Sequence, residues 1–407
     1  MPQRLGGAAR LRGHARAETV VTAHSYDGVA LCCPVTEPYV RRSEHGAAWF
    51  LARALRRLLN AGNLTKPDID GLCVSSFTLH PDTAVGFTQY VGMSPRVLEW
   101  LPMGGACGVI ALRRAARAVQ AGDAEIVACI AGDTANETSF RALLADFSSF
   151  SRDAVYPYGA GGPNASFALI ADAYMRATGA TREDFGTIAV AQRANARRNP
   201  LALLRNEMTM AQYLAARPIA EPLHLFDCVM PCAGADGFLV MPEARARARN
   251  LPFLRVLGAI ERHNAFPDDP VQLRGGWAMD RDALWGQAGI GPRDVRLVET
   301  YDDYPVISML QFEGLGFCAP GDGPGFVRRH DFTIEGSLPH NTGGGQLSVG
   351  QAGAAGGYLG LVEAMRQLLG EAEGRQVANA RHALVSGFGM INYDRGLCTS
   401  AAVLGRA

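Results

Sequence analysis

The sequence has no excess of charge of either sign, since its 407 residues include 39 lysines and arginines and 39 aspartates and glutamates. Nucleic-acid binding requires positive charge clustered on one face, so we expect no nucleic-acid partner. Long apolar runs are also lacking, and none reaches the roughly 18 residues that a membrane span requires. With 48% hydrophobic residues, the chain is expected to form two core-bearing units or one large double domain.

Paired cysteines are missing as well. The nine cysteines form no Cys-x-x-Cys motif and are odd in number, which is typical of reduced cysteines in a cytoplasmic protein. The histidines likewise show no spacing that suggests metal ligands. We therefore predict a cytoplasmic protein with no metal ion and no bound cofactor.

Acidic residues are absent from the first part of the chain, where residues 1–16 contain four arginines. This composition is found both in transit peptides and in frayed basic tails. We expect residues 1–20 to form a flexible tail.

Two distant segments follow one pattern, which consists of a helix closed by a glycine, a short turn and a buried apolar strand. The first passes through Gly62 and ends at Val74, and the second passes through Gly289 and ends at Val298. This similarity predicts two related halves, residues 21–255 and 256–407.

A glycine-rich turn also precedes a helix in each predicted half. One turn contains Gly104 and Gly105, and the other spans residues 343–345. Because the N–H groups at a helix start point toward one spot, we expect both turns to face a shared ligand. Residues 134–252 carry few strand signals and several helical runs, which predicts a helical loop or lid insertion over that site.

Five motifs together resemble the thiolase superfamily, in particular its sterol-carrier or lipid-transfer type, and the resemblance covers nearly the whole chain. Glycine-rich turns are common, so the set is more specific than any single member. The motifs are Gly104-Gly105-Ala106-Cys107-Gly108, Asp227-Cys228 followed by Ala233-Gly234-Ala235-Asp236-Gly237, Tyr301-Asp302-Asp303-Tyr304, Asn341-Thr342-Gly343-Gly344-Gly345 and Ser386-Gly387-Phe388-Gly389-Met390.

The resemblance implies an α/β protein with a five-layer α-β-α-β-α fold made of two related halves, usually assembled as a dimer or tetramer. It also implies an enzyme that acts on acyl-CoA thioesters, so that coenzyme A enters as part of the substrate. Relatives of this kind often work with a small OB-fold, zinc-ribbon partner protein, which we include among the expected partners.

All three reacting groups of a working thiolase are missing from the matching positions. Gly105 stands at the position of the nucleophilic cysteine, Gln351 at that of the basic histidine and Val385 at that of the acid/base cysteine. Loss of a nucleophile or its base typically lowers turnover about a millionfold, so ordinary thiolysis is not expected. Cys107 lies two residues after Gly105, at the start of a predicted helix, a position that favours the thiolate form. Cys107 is therefore either a displaced nucleophile or a small buried filler.

Hydrogen-bond donors for a developing oxyanion are predicted to remain. The resemblance assigns this role to Asn341 and to the N–H groups of Gly343, Gly344 and Gly345, and such donors are often the largest single catalytic contribution. The other residues that we assign to substrate binding are Gln351, Asp302 and Gly105.

Three side chains are candidates for proton transfer. Tyr301 and Tyr304 bound the site-facing quartet, and the thiolase-like retro-aldolases of steroid side-chain breakdown, which this chain resembles in lacking the cysteines, use tyrosines as acid and base. A phenol pKa near 10 must be brought toward neutrality for that role. His340 directly precedes Asn341 and has a side-chain pKa suited to proton transfer.

The leading hypothesis is therefore an acyltransferase-like or retro-aldol enzyme that makes or breaks a carbon–carbon bond in an acyl-CoA. In the retro-aldol form, Tyr301 or Tyr304 removes the hydroxyl proton of a β-hydroxyacyl-CoA while Asn341 and the glycine amides hold the thioester enolate. Two alternatives stay open. One is a non-catalytic acyl-CoA- or lipid-binding scaffold subunit, and the other is acyl transfer through Cys107.

Overall fold

The structure is a computed structural model that describes residues 25–135, 149, 152–153, 156–159 and 162–407. The flexible tail predicted for residues 1–20 lies outside these residues, as does part of the insertion predicted for residues 134–252. In the described part of the chain, no helix has the length and apolar content needed to cross a membrane.

Most of the strands belong to a single mixed sheet. The strands of the described residues are β1 (Val29–Val40), β2 (Gly71–Ser75), β3 (Val97–Trp100), β4 (Val127–Asp133), β5 (Pro218–Ala220), β6 (Leu223–His224), β7 (Ala233–Pro242), β8 (Phe253–His263), β9 (Leu297–Glu299), β10 (His382–Asn392) and β11 (Arg395–Arg406). Strands β5 and β6 form a small hairpin, and the others follow the order β3-β2-β4-β7-β1-β8-β11-β10-β9.

A narrow seam divides this sheet into two parts. Strands β1 and β8 join through two residue pairs, Leu31 with Leu254 and Cys32 with Phe253, whereas β1 pairs with β7 and β8 pairs with β11 over most of their length. Each part therefore forms the sheet of one half of the molecule.

The helices lie on both outer faces and between the two parts of the sheet. With described bounds they are α1 (Ala47–Ala61), α2 (Ala84–Val91), α3 (Cys107–Ala121), α4 (Pro163–Thr178), α5 (Arg182–Ala196), α6 (Met210–Leu214), α7 (Glu243–Ala248), α8 (Trp277–Ala288), α9 (Pro305–Gly314), α10 (Gly323–Arg329), α11 (Gly345–Val349) and α12 (Gly356–Leu369).

Packing of these helices produces five layers. Helix α1 buries an apolar stripe against β1, β4 and β7, as expected for an amphipathic helix on an outer face. Helices α3 and α12 contact strands of both halves and form the middle layer, and α8 covers β8 and β11 on the opposite outside. The predicted five-layer fold of two related halves is confirmed.

The two central helices approach each other at glycines. A Cβ built on Gly108 would lie 2.1 Å from the carbonyl oxygen of Gly357, and one built on Gly357 would lie 2.8 Å from Sγ of Cys107. A close-packed interior leaves no room for a side chain at either position. The small residues at these helix starts therefore allow both helices to begin in the same region.

The repeat seen in the sequence is present, with one correction. Helix α1 leads through the 3₁₀ turn Lys66–Asp68 into β2, and α8 leads through Pro292–Asp294 into β9. The turn that corresponds to Gly104–Ala106, ahead of α3, is Gly353–Ala355, ahead of α12. Gly343 and Gly344 instead precede the separate short helix α11, which begins at Gly345. The sequence did not distinguish the two turns because both are glycine-rich.

The helical elaboration of the first half contains α4, α5, α6 and the β5–β6 hairpin. Its predicted end at residue 252 is too late, because β7 lies between β4 and β1 in the main sheet. Strand β7 begins with small residues of low β-propensity, which hid it from a sequence-based assignment. Since β8 begins at Phe253, we propose that the second half starts with this strand.

Candidate active site

A cavity of about 660 Å³ opens between the two halves and the helical elaboration. Its walls come from the turn after β9, the glycine-rich part of β10, the start of α3 and helix α4. Apolar side chains dominate the lining, as they do in most small-molecule sites. They include Phe167, Phe226, Leu347, Phe388 and Ile391.

The ring of Tyr301 occupies the space in front of Gly105. A Cβ built on Gly105 would lie 2.0 Å from Cε2 and 2.2 Å from Cζ of Tyr301, distances that real Cβ atoms do not reach in a packed interior. Both residues line the cavity. The phenol therefore fills the volume that a nucleophile at position 105 would require.

Two glutamines hold Tyr301 in this position. The N–H of Tyr301 donates to Oε1 of Gln311 over 3.2 Å, and Nε2 of Gln311 donates to the Tyr301 carbonyl oxygen over 2.7 Å. Gln351 lines the cavity, and its Nε2 donates to the phenolic oxygen over 3.0 Å. Burial raises the pKa of Tyr301 well above its usual value, and the charge of Asp303 raises it further, so the phenol is protonated at neutral pH.

Tyr304 lines the same cavity, but its hydroxyl is engaged by the elaboration. It donates to Oδ1 of Asn164 in α4, and the Tyr304 ring stacks on Phe167 with centroids 4.0 Å apart. Burial raises the pKa of Tyr304 well above its usual value. Tyr304 thus joins α4 to the cavity wall, and Tyr301 is the better placed of the two tyrosines for proton transfer.

Asp303 is a cavity residue that the sequence analysis quoted within a motif but did not assign. Its side chain is buried, and Oδ1 has no hydrogen-bond partner among the described residues. Asp303 lines the cavity together with Tyr301, whereas Asp302, which lies between them in sequence, does not. Tyr304 lines the cavity as well, so the quartet shows no simple alternation, and only the path of the chain after β9 identifies Asp303 as a cavity residue.

Asp302 faces away from the cavity, which corrects its assignment to substrate binding. Its carboxylate accepts hydrogen bonds from the N–H groups of Gln346 over 3.0 Å and Leu347 over 3.4 Å, in the first turn of α11. An acidic group is favourable at that end of a helix. Burial raises the pKa of Asp302 to about 6, and its role is to anchor α11.

The loop after Asn341 is also separate from the cavity. Oδ1 of Asn341 accepts from the N–H of Thr300 over 2.9 Å, and its Nδ2 donates to the Thr300 carbonyl oxygen over 3.1 Å. The Asn341 side chain is thus used to hold the chain after β9. Asn341 borders a separate, small void of about 30 Å³ instead of the cavity.

The three glycines of this loop do not reach the cavity either. Gly343 and Gly345 border the same small void, and a Cβ built on Gly344 would lie 2.5 Å from Cβ of Ala196 in α5. Tertiary packing turns this loop toward α5, so the oxyanion hole predicted for Asn341 with Gly343, Gly344 and Gly345 stays a prediction that this geometry does not favour.

His340 is fully buried and does not line the cavity. Its Nε2 lies 2.8 Å from Oγ1 of Thr300, and the ring packs edge-on against both Phe312 and Phe332. Burial lowers the pKa of His340 to about 3, so the imidazole is neutral and poorly basic. The prediction of His340 as a catalytic base is not supported by its position.

Cys107 is fully buried at the interface between α3 and the turn before α12. Its thiol donates to the carbonyl oxygen of Ala354 over 3.2 Å, and burial raises its pKa well above the usual range. A thiol becomes a nucleophile only when it is accessible and ionised. Of the two alternatives that the sequence left open, the burial and the raised pKa of Cys107 favour the small buried filler.

Known proteins resemble this chain over most of its length. A family model described as Thiolase C-terminal domain-like matches residues 280–404. The chain is 31% identical over 375 residues to 17-hydroxy-3-oxo-4-pregnene-20-carboxyl-CoA lyase of Mycobacterium tuberculosis, with 87% of this chain and 93% of the relative covered. The chain belongs to the thiolase superfamily.

Further members of the superfamily agree with this assignment. A steroid side-chain-cleaving aldolase of Thermomonospora curvata is 30% identical over 371 residues, covering 86% of this chain and 90% of the relative. The solved structure of an Ltp2-ChsH2(DUF35) aldolase superposes with a TM-score of 0.77 at 26% identity, covering 93% of this chain and 98% of that one. The fold is also shared with a monomeric SCP2-thiolase-like protein from Mycobacterium smegmatis, with a TM-score of 0.68 and coverage of 93% and 77%.

Two glycine segments meet at Gly105, the position that the sequence resemblance matches to the thiolase nucleophile. A Cβ built on Gly389 would lie 2.2 Å from the carbonyl oxygen of Met103 and 3.0 Å from the nitrogen of Gly105. Gly104, Gly105 and Gly389 all line the cavity. Main-chain groups rather than side chains therefore form this part of the thiolase-like site, and the sequence analysis assigned only Gly105 to it.

Arginines line one end of the cavity. Arg41, Arg193 and Arg217 border it, and Arg41 and Arg193 also border an adjoining pocket of about 380 Å³ that contains Arg197 and Arg205. Nε of the buried Arg193 donates to Oγ of Ser348 over 3.0 Å. Guanidinium groups stay charged at every relevant pH, so this end of the thiolase-like site is suited to an anionic group.

Proposed function

We propose that this chain is a retro-aldolase that breaks the bond between the α and β carbons of a β-hydroxyacyl-CoA. The observation that carries the proposal is the phenol of Tyr301 in the space of a side chain at position 105. Without a nucleophile the site cannot form the acyl-enzyme of a thiolase, whereas a positioned phenol can exchange a proton with an enolate. The names of the lyase and the aldolase described above both denote bond cleavage, which supports this reaction class.

Tyr301 acts as the acid in this reaction. Because burial raises the pKa of Tyr301, the phenol carries a proton that it can deliver to the α carbon once the carbon–carbon bond breaks. Nε2 of Gln351 then stabilises the resulting phenolate by the hydrogen bond that it already donates. This direction differs from the sequence-based hypothesis, in which a tyrosine removes the hydroxyl proton.

The thioester oxygen is placed at the main-chain amides of Gly105 and Gly389. These segments adjoin each other and line the cavity beside Tyr301. Preorganised amides at the point where negative charge develops are each worth roughly 3 to 4 kcal/mol of transition-state stabilisation. They take over the role that the sequence analysis gave to Asn341 and its glycine neighbours.

The rest of the substrate is accommodated by two parts of the cavity lining. The apolar wall around Phe167 and Phe388 suits a bulky hydrophobic acyl group. The arginines suit the phosphates of coenzyme A, because planar guanidinium groups bind phosphate in a bidentate manner.

A small partner protein is included in the proposal. The related solved structure is named as a complex with a DUF35 protein, and the resemblance predicted an OB-fold, zinc-ribbon partner. We propose that this chain also works with such a partner and that it assembles as a dimer or tetramer.

A cleavage assay tests the proposal. The purified chain, alone and with a DUF35 protein, is incubated with 17-hydroxy-3-oxo-4-pregnene-20-carboxyl-CoA and with smaller β-hydroxyacyl-CoAs, and products are followed by mass spectrometry. We expect a carbonyl product and a shortened acyl-CoA in equal amounts, without added free coenzyme A. Acetoacetyl-CoA thiolysis abolished by Cys107→Ala would overturn the proposal, and tight binding without turnover would favour the scaffold hypothesis.

A further inference from the structure

The carboxylate of Asp303 lines the cavity but has no part in the steps assigned to Tyr301. It is 6% exposed, and its Oδ1 has no hydrogen-bond partner among the described residues. A buried polar atom without a partner destabilises a protein. Such an atom at the wall of a 660 Å³ cavity is explained if a bound molecule supplies the missing donor.

The neighbouring groups do not offer an alternative proton acceptor. The hydroxyl of Tyr304 donates to Asn164, Gln351 is an uncharged amide that donates to Tyr301, and His340 lies outside the cavity. Asp303 is thus the acidic side chain that borders the cavity among the described residues. It stands between the two tyrosines in sequence and lines the same wall.

We propose that Asp303 is the general base of the reaction and accepts the proton of the substrate's β-hydroxyl group on Oδ1. This inference rests on the proposed retro-aldol function and assigns the half of the proton transfer that Tyr301 does not perform. Oδ1 is free to accept, and a substrate hydroxyl is the donor that it lacks.

The step balances without a further reactant. Oδ1 of Asp303 takes the hydroxyl proton, the oxygen electron pair forms the new carbonyl group, and the bond between the α and β carbons breaks. The electrons of that bond pass into the thioester enolate, and Tyr301 delivers its phenolic proton to the α carbon. Transfer of the proton from Asp303 to the Tyr301 phenolate then restores both groups, so that no water, oxidant or free coenzyme A is consumed.

The charged and titratable groups around Asp303 set its pKa and therefore the pH at which it is ionised and can act as a base. Burial raises its pKa well above the usual value for a carboxyl, and the charge of Asp302 raises it further. Hydrogen bonds from the N–H groups of Asp303 and Tyr304 and from the Tyr301 side chain lower this pKa in part. Tyr301, Tyr304 and Cys228 are its other titratable neighbours, since the Asp303 charge contributes to the raised pKa of each. A base must be ionised, so activity is expected to rise with pH through a pKa above that of an ordinary aspartate.

The first test uses Asp303→Asn, which preserves shape but cannot accept a proton. Cleavage of a β-hydroxyacyl-CoA is expected to fall at least 100-fold, while binding of the same acyl-CoA without the hydroxyl group, measured by calorimetry, changes less than threefold. The melting temperature should change little, because Oδ1 has no partner to lose and an amide oxygen can still accept the hydrogen bonds that the carboxyl receives from neighbouring N–H groups and from Tyr301. Asp282→Asn, at a side chain that is 97% exposed in the second half, is the matched control and should retain wild-type turnover.

The second test separates a base from a merely structural carboxylate. Asp303→Ala leaves space in the cavity, so added formate should restore part of the turnover in proportion to its concentration, whereas Asp303→Asn should not respond. The acidic limb of the pH profile of kcat/KM should disappear in Asp303→Asn. Wild-type rates and pH dependence in Asp303→Asn would overturn the inference while leaving the retro-aldol function intact.

Failure of the wild-type chain to cleave any β-hydroxyacyl-CoA, with and without a partner, would overturn the proposed function and the role of Asp303 together. A lowered melting temperature in Asp303→Asn with no rescue of Asp303→Ala by formate would assign Asp303 a structural role and contradict the inference.

Discussion

Cε2 of Tyr301 lies 2.0 Å from the position that a Cβ on Gly105 would occupy. The Tyr301 ring in this orientation therefore excludes any side chain at position 105 and requires a glycine there. The absence of a cysteine at position 105 and the placement of the tyrosine after β9 are linked by packing.

Restoring a cysteine at position 105 should consequently damage the site. We expect Gly105→Cys to displace the Tyr301 ring, to lower the free energy of unfolding by about 1 to 3 kcal/mol through overpacking, and to lower cleavage activity at least 100-fold. Urea unfolding and steady-state kinetics measure the two effects. Gly286→Cys is the control, since a Cβ there meets no atom within 4 Å. Thiolase activity in Gly105→Cys would contradict this account.

The hydrogen bond from Gln351 to Tyr301 should matter for rate rather than for binding. Removal of a donor to a charged acceptor is worth about 1.5 to 3 kcal/mol, so Gln351→Leu is expected to lower kcat about 10- to 100-fold with little change in KM. The same hydrogen bond lowers the pKa of the phenol, so the alkaline limb attributable to Tyr301 should move to higher pH in the variant. An unchanged kcat would show that the amide does not stabilise the phenolate.

Buried His340 should make the fold sensitive to acid. Burial lowers its pKa to about 3 in the folded chain, against about 6.5 in the unfolded chain. The contribution of the neutral imidazole to stability is therefore complete above pH 6.5 and is lost as the pH falls toward 3, by about 2 kcal/mol between pH 6.5 and 5.

The variant His340→Gln should be less stable than wild type at pH 7 but should lose this part of the pH dependence. Urea unfolding between pH 5 and 7 provides the measurement, with His263→Gln, at an exposed histidine, as the control. Equal pH dependence in wild type and His340→Gln would show that the imidazole takes up no proton on unfolding.

The arginine-lined end of the site should determine affinity for coenzyme A esters. We expect Arg205→Ala to raise KM about fivefold, which corresponds to about 1 kcal/mol for an exposed charge contact, with kcat unchanged. Arg198→Ala is the matched control, because Arg198 is also exposed but pairs with Glu335 and does not border this pocket. An unaltered KM in Arg205→Ala would show that the phosphates of coenzyme A bind at another place.

Much of the fold could be predicted from the sequence because local patterns specify it. Glycines end α3, α8 and α12 in the left-handed conformation, which a side chain would disfavour, and apolar runs mark the core strands. The exception is β7, whose small residues carry little strand signal although tertiary packing buries them throughout.

The site could be predicted only in part, because the sequence shows which residues are neighbours along the chain but not in which direction their side chains point. Tyr301, Tyr304, Gln351 and Gly105 do line one cavity. Asn341 and His340 are close to Gln351 in sequence, but their side chains turn toward Thr300. Which of two adjacent aspartates faces a cavity depends on the path of the chain after β9, and no motif records it.

The central claim is that Tyr301 has replaced the cysteine nucleophile, and a quenched single-turnover experiment with excess enzyme tests it most directly. A β-hydroxyacyl-CoA is mixed with wild type or Tyr301→Phe, and protein mass and products are followed over time. We predict that wild type forms the carbonyl product and the shortened acyl-CoA with no mass added to the protein, and that Tyr301→Phe is slower by about 10²- to 10⁴-fold. An acyl adduct on any cysteine, or undiminished turnover by Tyr301→Phe, would contradict the account.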